Sequence, residues 1–147
     1  MKTRFPVDFR PGMHGLSKML GHLESEIMEI IWQKGEEVCV RDVYAELALR
    51  REIAYTTVMT IMGRLADKKL LTKRKSSNTS FFEPAMSRRE FTEKVVCNVV
   101  DSLLEDFADA TLAHFVNRVQ DKDRDTIEKL EKMLAATKGD GESGAVD

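Results

Sequence analysis

The sequence predicts a mainly α-helical chain with one small β-hairpin, and three observations carry that expectation. Apolar residues recur at helical spacing in most segments between residues 20 and 136. Two short runs of strand-forming residues, LLTKRK and SFFEP, flank the polar turn Ser76, Ser77, Asn78, Thr79. Positive charge is concentrated between residues 50 and 75, where eight basic side chains oppose only Glu52 and Asp67, a local net of +6 in a chain whose net charge is −2.

In chain order, residues 1–19 mix Pro6, Pro11, Gly12 and Gly15 with charges and show no period, so a flexible N-terminal arm is expected there. Its Lys2, Arg4, Arg10 and Lys18 are spread thinly for an arm that reaches into DNA. From Leu20 the pattern becomes helical, with Leu23, Ile27, Ile30 and Ile31 on one side and Glu24, Glu26 and Glu29 outside, until Gly35 stops it. Trp32, near the end of this helix, is expected to pack on neighbouring helices. The residues VCV at 38–40 read as a short strand suited to pairing with a hairpin, and Arg41 to Arg50, with Val43, Leu47 and Ala48 on one face, as a second helix.

A third helix follows over 54–69. Ile53, Val58, Ile61, Met62, Leu65 and Leu70 form its apolar stripe, while Tyr55, Thr56, Thr57, Met59, Thr60 and Arg64 lie opposite. The hairpin then brings Lys73, Arg74 and Lys75. Helix, short strand, helix, turn, helix, hairpin is the order of a winged helix-turn-helix, in which the last helix enters the major groove and the hairpin lies on the backbone. Residues 20–85 are therefore expected to be a DNA-binding domain. Taken alone, KKLLTKRK is an ordinary solvated run; the helix before it and the hairpin around it give it a direction. Thr56, Thr57, Met59 and Thr60 are the candidates for base edges, Arg64, Lys73, Arg74 and Lys75 for phosphates, and Tyr55 for the backbone through its hydroxyl.

At Ser87 the character changes. Ser87 to Glu90 has the S-x-x-E form of a capping box, so a new helix is expected there. Its apolar positions Phe91, Val95, Val96, Val99, Val100, Leu103, Leu104 and Phe107 make a stripe too broad to leave bare. Such a helix is not expected to turn back onto a small core already filled. A second copy of the chain, or the short helices expected over 109–119 and 125–136, would cover it; Val96, Val99, Val100, Leu103, Leu104 and Phe107 are the candidate dimerisation residues. Residues 86–136 are thus a helical dimerisation region, truncation after Pro84 should leave a folded monomer, and the Gly-rich tail 137–147 is expected to be disordered.

Several function classes are disfavoured. No apolar run approaches the length needed to cross a bilayer, and the first residues lack a secretory pattern, so a cytoplasmic protein is expected. Cys39 and Cys97 have no metal-ligand spacing and read as small core residues; no metal or cofactor is expected. His14, His22 and His114 stand in no catalytic arrangement, and no phosphate-binding glycine loop is present, so an enzyme is not expected.

The blocks LGHLESEIMEIIW (20–32), VRDVYAEL (40–47), AYTTVMTIMGRLADKKLLTK (54–73) and SRREF (87–91) together resemble the penicillinase-repressor family, the BlaI/MecI/CopY group of bacterial transcriptional repressors. The resemblance covers about residues 20–135. It implies a homodimer with an N-terminal winged helix and a C-terminal helical dimerisation region, sitting on inverted repeats over a promoter. The C-x-C pairs of the copper-responsive branch are missing, since residues 120–147 contain no cysteine. In the β-lactam-responsive branch an Asn-Phe bond is cleaved; the corresponding position is His114-Phe115, where the Phe matches and the Asn does not. The expected partners are double-stranded DNA and a second copy of the chain, with any upstream sensor unknown. The competing expectations are a ligand-sensing winged-helix dimer and a winged helix used for protein contacts. A Thr-rich helix face favours DNA over protein contacts, and the Met and Phe side chains that could line a ligand site read more simply as core.

Overall fold

In a computed structural model the chain is described from residue 7 to residue 144, with side chains to residue 138. The elements are α1 (His22–Lys34), β1 (Val38–Cys39), α2 (Val40–Ala48), α3 (Tyr55–Asp67), β2 (Leu71–Ser76), β3 (Thr79–Pro84), α4 (Arg88–Gln120) and α5 (Arg124–Gly144). A short 3-10 helix, Gly15–Lys18, precedes them. The three strands form one antiparallel sheet in the order β1-β3-β2. This is the expected winged helix followed by a helical region. Two compact units divide the chain, one ending at Val99 and the other beginning at Val100.

Local chemistry accounts for the element ends. Gly35 closes α1 in the left-handed region at φ 65°, where its N–H reaches the Ile31 carbonyl. α3 ends in the same way but with Lys69 at φ 65°. The Lys69 and Leu70 N–H groups donate to the Ala66 and Leu65 carbonyls at 3.0 and 2.9 Å, a Schellman closure whose apolar contact is Leu65 with Leu70. α2 begins at Cys39, whose backbone N–H and thiol both donate to Asp42 Oδ2, at 3.0 and 3.3 Å. Those two donors hold the Asp42 carboxyl below the usual aspartate value. At the start of α4 the expected cap is present, with the Glu90 N–H on Ser87 Oγ at 3.1 Å.

The core lies between α1, α2, α3 and the inner face of the sheet. Ile27 and Ile31 of α1, Val43 and Leu47 of α2, Val58, Met62 and Leu65 of α3, and Val38, Leu71 and Phe82 of the strands are all buried. The start of α4 joins them, contrary to the expectation that it could not turn back. Phe91 is 0% and Val95 2% exposed. The Phe91 ring lies 5.8 Å from that of Trp32, whose indole N–H donates to the Met86 carbonyl at 3.0 Å. A phenylalanine one turn into α4 thus packs against Trp32 and extends the core of the first unit. The expected boundary at residues 85 and 86 therefore falls inside the first compact unit.

Three further expectations are corrected. Of the segment read as a flexible arm, residues 1–6 lie outside the described residues, but Val7, Leu16 and Met19 pack against the core and the Arg10 N–H donates to the Lys18 carbonyl at 2.6 Å. Three apolar side chains without a regular period are enough to dock a short segment. Neither cysteine is a core residue: Cys39 is half-buried as a helix cap and Cys97 is exposed on α4. The tail read as disordered is helical through Gly144, with 145–147 outside the described residues. α5 starts on a good cap, Asp123 accepting from the Thr126 N–H and hydroxyl at 2.9 and 2.8 Å, and extending a nucleated helix asks far less than starting one.

Within α4 the backbone leaves helical geometry at one residue, Phe107 (φ −137°, ψ 45°). The separate helix expected from 109 is thus the part of α4 beyond this break.

Candidate nucleic-acid interface

α3 carries two opposed faces. Val58, Met62 and Leu65 are fully buried, and Tyr55, Thr56, Thr57, Met59, Thr60 and Arg64 are all exposed, as the helical period requires. Tyr55 and Met59 are 44% and 49% exposed, large side chains left standing on a helix whose other face is sealed. The Thr60 hydroxyl donates to the Thr56 carbonyl at 2.8 Å, so only its oxygen lone pairs and methyl group are offered outward. Thr56 and Thr57 have no such bond among the described residues. Tyr44, half-buried on α2, meets the Tyr55 ring edge-on with centroids 5.5 Å apart, fixing the side chain at the first position of α3.

The basic window is less positive than its composition. Lys68 is paired with Glu24 at 3.2 Å, Arg51 with Glu26 at 3.5 Å, and Arg74 with Glu37 through Nε at 3.1 Å. Glu24 and Glu26 belong to α1, so the acidic side of the first helix neutralises cations of the helix-turn-helix from behind. Arg50, Arg64, Lys69, Lys73 and Lys75 hold no ion pair among the described residues.

Strand alternation splits the three hairpin cations. Lys73 is opposite Phe82 and Lys75 opposite Ser80, on the face that Leu71 turns into the core. The Lys73 ammonium stands 5.9 Å above the Phe82 ring. Arg74 is opposite Phe81 and Thr72 opposite Glu83, on the other face. Its guanidinium lies 5.0 Å from the Phe81 ring and is gripped side-on by both Glu37 oxygens. The two-residue period was present in the sequence and separates Arg74 from the lysines. Glu37 was not legible as its partner, because the contact depends on β1 and β2 both pairing with β3.

The candidate dimerisation residues divide as well. Val99 packs against the core of the first unit, whereas Val96, Val100, Leu103, Leu104 and Phe107 are exposed. Leu112, Phe115, Val116, Met133 and Leu134 of the second unit are exposed too. His114 and Phe115 lie in helical backbone of α4 beyond Phe107. Among the described residues, no group of three or more His, Cys, Asp or Glu side chains could hold a metal ion, and no helix is long and apolar enough to cross a membrane.

Comparison with known proteins gives three findings. A family model described as penicillinase repressor matches residues 20–136. The transcriptional regulator BlaI of Mycobacterium tuberculosis, in strain CDC 1551 / Oshkosh and in strain ATCC 25618 / H37Rv, is 36% identical over 124 residues, covering 82% of this chain and 88% of the relative. A solved structure, the complex of hsRosR-S1, aligns over 82% of this chain and 93% of that chain at 20% identity and a TM-score of 0.41, a likeness too loose to build on.

Proposed function

The chain belongs to the penicillinase repressor family of transcriptional regulators, which are not enzymes, and from that premise we propose that it is a dimeric repressor occupying an inverted-repeat operator in a promoter, working in the cytoplasm. One observation carries the DNA-reading part: a sealed helix presents Thr56, Thr57, Met59 and Thr60 outward, next to a hairpin whose Lys73 and Lys75 hold no ion pair among the described residues. Threonine hydroxyls suit base edges, a threonine or methionine methyl suits the thymine methyl, and ammonium groups suit phosphate. Tyr55, buttressed by Tyr44, would hold the backbone at the helix start, and Arg64 would meet phosphate toward its end. The exposed apolar residues of α4 and α5 support the dimer, since a chain that left them all in water would carry an unusually large apolar surface.

Selection of bound sequences from random duplex DNA by the purified protein yields the operator and tests the class in one step. Titrations on operator and scrambled duplex then separate reading from positioning. Thr57→Ala and Met59→Ala should each cost about 1–3 kcal/mol on the operator and almost nothing on the scrambled duplex. Lys73→Ala should weaken both alike and reduce the salt slope by roughly one ion. Equal losses on both duplexes for Thr57→Ala and Met59→Ala would show that α3 does not read sequence.

A further inference from the structure

We propose that the hairpin meets the DNA backbone with its Lys73 and Lys75 face alone, and that Glu37 latches Arg74 away from phosphate as a brace tying β2 to the segment before β1. The inference rests on the DNA-binding reading above and goes further by choosing the face and removing a cation from the interface.

Charge separates the two faces of the hairpin. On one, Lys73 and Lys75 stand opposite Phe82 and Ser80 with no carboxylate among the strand residues that share it. On the other, Arg74 shares the surface with Glu83, opposite Thr72, and with its ion-pair partner Glu37. One cation against two anions leaves that face net negative. The Arg74 guanidinium is also committed sterically: Nε and one Nη bond the two Glu37 oxygens, and the Phe81 ring lies 5.0 Å from Cζ. A phosphate reaching Arg74 must come close to both carboxylates, and the charge it would meet is already neutralised. The same phosphate finds on the opposite face two ammonium groups, of Lys73 and Lys75, that hold no ion pair among the described residues. Arg74 is therefore structural, although its sequence neighbours on both sides are contacts.

The full-length protein and a mixed-sequence duplex test this, because phosphate contact needs no operator. Lys73→Ala and Lys75→Ala should each lower the salt slope by about one ion, whereas Arg74→Ala should leave it unchanged. Glu37→Gln should free Arg74, steepening the slope by about one ion, so that affinity falls roughly threefold more than in the wild type between about 50 and 200 mM salt. Adding Arg74→Ala to Glu37→Gln should abolish that gain. A slope lowered by Arg74→Ala alone overturns the proposal while leaving the DNA-binding reading intact; absence of any salt-dependent binding by the wild type overturns both. The latch is also measurable without DNA. Its hydrogen bonds with Arg74 hold the Glu37 carboxyl below the usual glutamate value, so by carbon NMR its midpoint should rise to the ordinary range in Arg74→Ala. An ordinary midpoint in the wild type overturns the latch whatever the DNA titrations give.

Discussion

Lys69 occupies a position where helices usually place glycine. Its φ of 65° puts a β-carbon where the left-handed region crowds it, yet the closure it makes, with the Leu70 N–H on the Leu65 carbonyl, is intact. Lys69→Gly should therefore stabilise the protein by roughly 0.5–1 kcal/mol, seen as a higher urea midpoint at unchanged slope. A lower midpoint would mean that the side chain contributes more through its contacts than the backbone conformation costs. At this scale the helix faces were legible, since a 3.6-residue period decides which side of α3 is wet. The states of single polar groups were not: that Thr60 spends its proton on Thr56, or that Cys39 caps a helix with Asp42, depends on rotamers that no spacing encodes.

Among the elements, α4 is the one whose role the structure changes. Its first turns belong to the winged helix, because Phe91 fills the space beside Trp32 and Val95 follows it into the core. Phe91→Ala should cost about 3–5 kcal/mol, the usual loss for a buried aromatic truncated in a packed site. By the same reasoning a chain ended after Val99 should unfold cooperatively, while one ended after Pro84 should be severely destabilised, losing Phe91, Val95 and the Met86 carbonyl that receives the Trp32 indole. Trp32 is the chain's one tryptophan, so its fluorescence reports both transitions directly. Equal midpoints for the two truncations would remove α4 from the domain. The capping box at Ser87 announced this helix correctly; where its apolar stripe would be spent could not be seen, because Phe91 and Val95 share a period with Val96 and Leu103.

For the whole molecule, charge and apolar surface point to separate tasks. Residues 1–85 carry 14 basic against 11 acidic side chains and residues 86–147 carry 9 against 14. Among the described residues of the second unit no apolar side chain is buried, and Leu103, Leu104, Phe107, Leu112 and Phe115 are all exposed. At micromolar concentration light scattering should give twice the chain mass of 16.7 kDa. Replacing Leu103 and Leu104 together with Gln should shift the protein to the single-chain mass and weaken operator binding, since each half-site would then be held independently. A wild-type mass of one chain would remove the dimer from the proposal.

By itself the sequence determined the order of helices and strands in the winged helix, the buried side of α1 and α3, and the location of the positive charge. Those properties are set by periods of two and 3.6 residues, by caps and turns a few residues long, and by composition, all of which act along the chain. What the tertiary structure decided are the pairings between distant segments: Phe91 against Trp32, Val7 and Leu16 onto the core, Glu24 and Glu26 onto the cations of the helix-turn-helix, and Glu37 onto Arg74 across a strand. Each brings together residues far apart in the chain whose meeting depends on how the elements pack. For that reason the chain showed where its cations were, and only the fold showed which of them remain free.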